Sequence, residues 1–162
     1  MAPYRGSLTA GTHAVREQLL ARFWPGLCGE AWEELCRWRA PQVPNLVGGP
    51  WGMARRWWRG QQPEWDLVAE SIDGERLLLG ESKGAARPVD FRTLERHARR
   101  VAERSVPTGP AAPGARRAVR MLFVPEIDAE AHHRLGTDPA ISGVHVVTAD
   151  RLTGLSPTAA RT

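Results

Sequence analysis

The feature that most constrains the fold is an Asp-Gly pair at residues 73–74 between two largely apolar runs, 65–71 and 76–83. Asp-Gly in this setting is typical of the turn of an antiparallel β-hairpin. A four-residue loop over 72–75 would leave the strand register unchanged. The sequence therefore predicts two paired strands with a defined register.

This register places Asp66 opposite Glu81, and Glu64 opposite Lys83. Opposed side chains on paired strands share a face, with Cβ atoms about 4.5–5.5 Å apart. Two like charges at that separation are unfavourable unless one carboxyl is protonated or a cation binds between them. Mg²⁺, with Mn²⁺ as a substitute, binds a few carboxylates together with water and phosphate oxygens. An exposed hairpin face with ordinary salt bridges is the alternative interpretation.

Lys83 is the only lysine among 22 basic residues. Arginine supplies positive charge everywhere else, so a lysine here favours a role that needs a compact ammonium group, such as orienting or deprotonating a water. The alternative is that one lysine has been retained by chance. Because strand side chains alternate, Lys83 shares the face of Glu81. We therefore predict Asp66 and Glu81 as metal ligands, Glu64 as a further ligand and Lys83 as the group that positions the water. Gly84 and Ala85 are expected to leave room for a ligand.

The rest of the chain predicts alternating helices and strands. Helices are expected over 12–23, 27–39, 90–104 and 126–135, with a break at Pro25-Gly26. Further strands are expected over 118–124, 144–148 and 51–59, where an irregular aromatic segment is the alternative. The second helix is expected to bury one apolar stripe, formed by Leu27, Ala31, Leu35 and Trp38 and widened by Cys28 and Trp32. This order predicts an α/β fold with a central mixed sheet of four to five strands flanked by helices.

The length of 162 residues fits one domain, predicted over 27–155. Residues 1–26 would form a helical extension or linker, 105–117 a flexible connection and 156–162 a disordered tail. Cys28 and Cys36 have neither metal-ligand spacing nor a plausible disulfide geometry on one helix, so both are expected to be reduced packing residues.

A net charge of +4 and a pI of 10.0 permit a polyanionic partner. Five residues are candidates for nucleic-acid contact: Arg55, Arg56, Arg59, Trp58 and Arg96. Adjacent residues on a strand face opposite ways, so at most one of Trp57 and Trp58 should meet substrate, and a solvated face is the alternative for Arg96. The sequence lacks an apolar run of about 20 residues, so no membrane partner and a cytoplasmic location are expected. The oligomeric state is left open.

Asp66 followed by Glu81-Ser82-Lys83 resembles the signature of the PD-(D/E)xK nuclease superfamily, although Trp65 stands where proline often precedes the first acid. Four segments, GEAWEELCR (29–37), RRWWR (55–59), EWDLVAE (64–70) and LLLGESKG (77–84), are similar to a C-terminal domain of archaeal and bacterial AAA-type ATPases, domain of unknown function 234.

This resemblance covers residues 21–155 and implies a restriction-endonuclease-like fold, with Glu33 after Trp32 as an additional site residue. Those ATPases carry a phosphate-binding loop, GxxxxGK[ST], and this sequence has none, so a separately encoded ATPase is a candidate partner. The function predicted is Mg²⁺-dependent hydrolysis of DNA phosphodiesters. The alternatives are a catalytically silent nucleic-acid-binding or regulatory module, and an interaction domain recruited by an ATPase.

Overall fold

Six strands form one mixed sheet with helices on both of its faces in the computed structural model, which describes residues 12–108, 117–136 and 138–154. The elements, in chain order, are α1 (His13–Arg39), β1 (Arg55–Trp57), β2 (Trp65–Glu70), β3 (Arg76–Ser82), α2 (Phe91–Glu103), β4 (Arg117–Phe123), α3 (Ala129–Leu135), β5 (Ala140–Ile141), β6 (Val144–Val147) and α4 (Ala149–Thr153). The expected tail, most of the 105–117 connection and residues 1–11 lie outside the described residues.

The strand order is β1-β2-β3-β4-β6-β5. Strands β3, β4 and β6 are parallel to one another, whereas β1, β2 and β5 pair antiparallel to their neighbours. The predicted α/β class and mixed sheet are confirmed, but the sheet has one strand more than expected. The extra strand, β5, has only two residues and turns into β6 through Ser142 and Gly143, too short a segment to produce a readable pattern.

The hairpin has the predicted register, with Leu67 opposite Gly80 and Val68 opposite Leu79. At the turn, Asp73 accepts hydrogen bonds from the Ser71 hydroxyl and the Glu75 N–H, and Gly74 adopts a φ of 74°. These bonds, that from Ser71 first, lower the pKa of Asp73 to about 2. The local turn chemistry therefore fixes the register, as the sequence indicated.

Residues 13–39 form one continuous helix, so the predicted break at Pro25-Gly26 is wrong. A proline inside a helix removes one N–H donor and usually bends or ends the helix. Here the residues around Pro25 are exposed, so water can hydrogen-bond the carbonyl that loses its donor.

The buried face of α1 is formed by Trp32 and Cys36, followed by Ala40 just after the helix. Leu27 and Trp38, expected on the buried stripe, are exposed, so the predicted stripe is wrong apart from Trp32 and the partly buried Leu35. Both cysteines are free, as predicted, but only Cys36 packs in the core, where burial raises the pKa of its thiol.

Two apolar clusters hold the layers together, one on each face of the sheet. The first joins Leu94, Ala98 and Val101 of α2 to the sheet, and the second joins α1 to the opposite face. Gly80 leaves no room for a side chain between its neighbours on β2 and β4, since a Cβ there would be 2.9 Å from both Leu67 Cβ and Phe123 Cε2. No helix in the described ranges is both long enough and apolar enough to span a membrane.

Candidate functional site

The polar residues of the predicted site lie where β3 ends. Glu81 is the penultimate residue of β3, and Lys83 follows directly after the strand. The Lys83 N–H donates to the Phe123 carbonyl at 2.9 Å, which extends the parallel pairing with β4 to Lys83. In open α/β sheets, ligands bind at the carboxyl ends of parallel strands, so this position suits a site.

Glu81 is 7% exposed and has a cation on each carboxylate oxygen. Lys83 Nζ lies 2.5 Å from Oε1, and an Arg104 guanidinium nitrogen lies 2.5 Å from Oε2. Burial acts to raise the pKa of Glu81, but the hydrogen bonds from Arg104 and Lys83 outweigh it and hold the pKa below its usual value. Glu81 is therefore charged at neutral pH, with Lys83 at the solvent boundary because 40% of its side chain is exposed.

Asp66 is fixed at the same end of the hairpin through a different partner. Its Oδ2 accepts hydrogen bonds from the Ser82 N–H at 2.8 Å and the Ser82 hydroxyl at 3.2 Å. Burial raises the pKa of Asp66; the Ser82 N–H opposes this, and the nearby charges of Glu81 and Glu33 raise it further. No described residue donates to Asp66 Oδ1. One oxygen of this carboxylate is thus held in place by Ser82.

A bulge explains why the two carboxylates have separate partners. Arg55 pairs with Val68 and Trp57 with Trp65, so β2 has one residue more than β1 in this stretch. A bulge turns the local side chains away from strict alternation. Asp66, within this stretch, accepts hydrogen bonds from Ser82, which lies on the face of β3 opposite that of Glu81. The observed pairs of β2 with β3 begin at Leu67 and Gly80, so the expected direct opposition of Asp66 and Glu81 on one face is not observed.

Glu33 reaches the site from α1. It forms ion pairs with Arg37 and, at 3.9 Å, with Arg56, and its charge acts on Asp66. Arg37 also donates to the Asp66 carbonyl at 3.2 Å, which links Glu33 to the β2 backbone. The neighbouring Glu34 is exposed. Packing of α1 through Trp32 and Cys36 therefore directs Glu33 to the hairpin.

Glu64 does not take the predicted position. Its carboxylate forms an ion pair with Arg56, while Lys83 pairs with Glu81, so the expected opposition of Glu64 and Lys83 is wrong. Glu64 precedes β2, and the observed pairs of β2 with β3 begin at Leu67 and Gly80, so the hairpin register does not extend to Glu64. Among the described residues, no group of three or more His, Cys, Asp or Glu side chains is arranged to hold a metal ion. The set of Asp66, Glu81 and Glu64 is therefore not assembled as one metal-binding group.

Asp66 and Glu81 alone still fit Mg²⁺ in the kind of ligand that they offer. Mg²⁺ is held in many sites by one or two carboxylates, with water and substrate phosphates completing its coordination. Both oxygens of Glu81 already contact a protein cation, Lys83 on Oε1 and Arg104 on Oε2, so a metal ion bound by Glu81 would have to share or displace these contacts. The two carboxylates are thus compatible with Mg²⁺ in donor chemistry.

Three residues near the site were missed by the sequence analysis: Arg104, Ser82 and His97. Arg104 follows α2 and contacts Glu81, the Glu64 carbonyl at 2.6 Å and the Trp65 ring, whose centroid is 4.9 Å from Cζ. No local pattern connects Arg104 to Glu81, 23 residues away, whereas Ser82 stands inside the Glu81-Ser82-Lys83 segment. His97 lies on α2, where burial first, and then the charge of Lys83, lower its pKa.

The space beside Gly84 is taken by α1, which contradicts the expectation that Gly84 makes room for a ligand. A Cβ at Gly84 would lie 3.1 Å from the Gly29 Cα. The absence of a side chain therefore allows two backbones to approach closely and brings α1 to the end of β3.

The candidate nucleic-acid residues lie mainly along β1 and just after it. Trp57 is 8% exposed and belongs to the core, whereas Trp58 is 72% exposed. A cleft of about 400 Å³ is lined by Trp58, Arg56, Gly60, Gln62 and Glu64. Since Arg56 also contacts Glu33, this cleft adjoins the acidic residues.

The remaining candidate residues, Arg55, Arg59 and Arg96, are exposed. Arg96 lies on α2, donates to the Thr93 hydroxyl at 3.3 Å, and acts with Lys83 on the pKa of His97. It therefore flanks the site on the side of α2.

No family model matches the sequence, and the comparisons with curated proteins and with solved structures give no significant match.

Proposed function

We propose that this protein is a metal-dependent nuclease of the PD-(D/E)xK type that hydrolyses DNA phosphodiester bonds, with a restriction-endonuclease-like fold. The observation that carries the proposal is the Glu81–Lys83 ion pair at the carboxyl end of β3, with Asp66 hydrogen-bonded to Ser82 between them in sequence and close enough for the charges of Glu81 and Lys83 to act on its pKa. A lysine at this position, in a chain that otherwise uses arginine, supports a chemical role for its ammonium group.

Asp66 and Glu81 would hold Mg²⁺ or Mn²⁺. When bound, such a cation neutralises phosphate charge and acidifies a water. Lys83, at the solvent boundary beside Glu81, donates hydrogen bonds to the attacking water and orients it. Glu33 assists from α1 by adding negative charge next to Asp66, and Arg104 keeps the Glu81 carboxylate in position.

DNA would approach along the surface that carries Trp58. The exposed indole offers a face for stacking on an unpaired base, and Arg55, Arg56 and Arg59 offer charge to the backbone phosphates. Arg96 would contact phosphate on the α2 side of the site. These contacts would lead the strand past Glu33 toward Glu81.

A second function, that of a catalytically silent nucleic-acid-binding or regulatory module of an ATPase-associated protein, is favoured by one observation. Arg104 and Lys83 already occupy both oxygens of Glu81, which gives a stable ion-pair network without a metal. Under this reading, nucleic-acid binding does not depend on Mg²⁺ and survives Lys83→Ala.

The test is cleavage of plasmid DNA and of single- and double-stranded oligonucleotides, with Mg²⁺ or Mn²⁺ and with chelator. We expect wild-type activity that requires the metal and falls about 10²–10⁴-fold in Lys83→Ala, the usual loss when a group that transfers or orients a proton is removed. Lys83→Arg keeps the charge but not the compact ammonium, so it should also lose most activity.

Arg99→Ala is the matched control, because it removes an exposed cation that pairs with Glu95 on α2. Its activity should equal that of the wild type. Wild-type protein that cleaves none of these substrates, or Lys83→Ala that cleaves as fast as the control, would reject the nuclease proposal in favour of the binding module.

A further inference from the structure

A second polar cavity lies at the opposite end of the sheet from Glu81 and Lys83. It has a volume of about 450 Å³ and is lined by residues at the starts of β3, β4 and β6 and by the loop at Val47 and Gly48. Because β3 runs from Arg76 to Ser82, six residue steps of about 3.3 Å separate this cavity from the candidate nuclease site. Nothing proposed above uses it.

Two buried polar atoms of the cavity residues have no hydrogen-bond partner among the described residues, Arg76 Nε and His145 Nδ1. Buried polar groups are nearly always hydrogen-bonded, so an orphaned group calls for an explanation such as a ligand. Strand alternation puts both side chains on the face that also carries Val119 and α1. Two buried nitrogens of the cavity residues thus lack a partner among the described residues, Arg76 Nε as a donor and His145 Nδ1 as a donor or an acceptor according to its tautomer.

Positive charge is also concentrated here. Arg117 is the direct register partner of Arg76 on the adjacent parallel strand, and it lines the same cavity. Like charges side by side on neighbouring strands repel each other. Arg76 has Asp73 as an ion-pair partner, but no described acid pairs with Arg117. An anion between the two guanidinium groups would relieve this repulsion.

Arg120 also borders the cavity and has a buried, unpartnered Nε, but its side chain serves the other face. It follows the alternation of Ala118 and Leu122, which pack toward α2, and it donates to the Arg104 carbonyl at 3.4 Å. We therefore assign the ligand contacts to Arg76, Arg117 and His145.

We propose that this cavity binds a phosphate group. Guanidinium groups match phosphate oxygens with pairs of parallel hydrogen bonds, and an imidazole N–H supplies a further donor. The phosphate could belong to a small molecule or to a nucleic-acid backbone, since the contacts are the same. The assignment does not depend on the nuclease proposal, because none of the three residues lies at the end of β3.

The test uses the full chain and two probes, inorganic phosphate and a short single-stranded oligonucleotide. Calorimetry measures binding, and NMR detects changes in the arginine Nε–H and histidine ring signals. We expect the wild type to bind at least one probe, with shifts of the Arg76 and His145 signals. Arg117→Gln and Arg76→Gln should each weaken that binding about tenfold or more, the loss expected for a charge-assisted hydrogen bond.

Arg99→Gln is the charge-matched control and should bind as the wild type does. Arg117→Gln is the decisive variant, because Arg117 is exposed and the loss of its charge does not break the Arg76–Asp73 pair at the turn; thermal unfolding verifies that each variant is folded. Lys83→Ala should keep this binding, which separates the cavity from the nuclease site.

Binding of inorganic phosphate alone identifies a small phosphorylated ligand, and loss of oligonucleotide binding in both cavity variants identifies a nucleic-acid backbone. The proposal is overturned if the wild type binds neither probe, or if Arg117→Gln and Arg99→Gln bind alike.

Discussion

At the scale of single residues, the site contains two carboxyl groups whose surroundings shift their pKa values in opposite directions. Glu81 is more buried, yet two cations hold its pKa down. The Asp66 carboxylate accepts hydrogen bonds from Ser82 alone among the described residues, and its pKa is raised. Two protein cations therefore balance the negative charge of Glu81. Asp66 has no such cation bound to its carboxylate, so it is the carboxylate that an added cation would stabilise most.

The raised pKa of Asp66 predicts a pH-dependent gain of stability in Asp66→Asn. Charging Asp66 costs the folded state stability as the pH rises from the usual aspartate pKa of about 3.9 through the raised value. Asparagine removes this cost and keeps an acceptor for Ser82. The free energy of unfolding, measured in urea at several pH values, should therefore increase relative to the wild type as the pH rises across that interval.

Glu130→Gln, on an exposed acid of α3, provides the comparison. The Glu81 contribution has the opposite sign in both proteins, since its lowered pKa gives stability that is lost as the pH falls through that value. A stability difference between Asp66→Asn and wild type that shrinks with rising pH would contradict this account of Asp66.

At the scale of elements, the position of α1 decides whether Glu33 belongs to the site. Trp32 donates from its indole nitrogen to the Phe123 carbonyl at 3.4 Å, and Gly84 lets α1 approach the end of β3. These contacts lie next to Glu33 in sequence and in space. These contacts therefore hold α1 in the position that brings Glu33 to the hairpin.

Gly84→Ala and Gly29→Ala should have opposite effects on stability. A Cβ at Gly84 would meet the α1 backbone at 3.1 Å, so strands and helix must separate, at a cost of about 1–3 kcal/mol. A Cβ at Gly29 meets nothing within 4 Å, and alanine favours the helix by up to about 1 kcal/mol. Chemical denaturation measures both, and equal effects would show that α1 does not pack on Gly84.

At the scale of the whole molecule, the sheet separates two apolar cores and leaves β1 as one edge. Trp57 belongs to the core on the α2 face, while Trp58, the next residue, faces solvent beside the 400 Å³ cleft. Trp57 therefore stabilises the folded core, whereas Trp58 is accessible to a binding partner.

This division predicts different results for Trp57→Ala and Trp58→Ala. Truncation of the buried Trp57 should cost about 3–5 kcal/mol of unfolding free energy, whereas truncation of Trp58 should change it by less than about 0.5 kcal/mol. If Trp58 stacks on a base, its removal should weaken single-stranded DNA binding roughly tenfold, measured by fluorescence anisotropy. Unchanged DNA affinity in a folded Trp58→Ala protein would remove Trp58 from the proposed nucleic-acid surface.

Much of the sheet could be read from the sequence because the relevant signals are local. The Asp-Gly turn fixes which residues of β2 and β3 are paired, and the two-residue period places Glu81 and Lys83 on one face. Strand β5 could not be predicted, because two residues are too few to show a periodic pattern. Pro25 does not end α1, because the free-energy cost of a proline inside a helix depends on its surroundings.

Only the tertiary structure decided how the elements meet. A helical pattern fixes the angles between the side chains of α1, but the rotation of α1 against the sheet depends on contacts such as Trp32 with Phe123, so the buried stripe could not be chosen in advance. The same holds for the contact of Arg104 with Glu81 and for the ion pair of Glu64 with Arg56. Local backbone preferences thus determined the hairpin, and contacts between residues distant in sequence determined which charges surround it, because the latter depend on the packing of every layer at once.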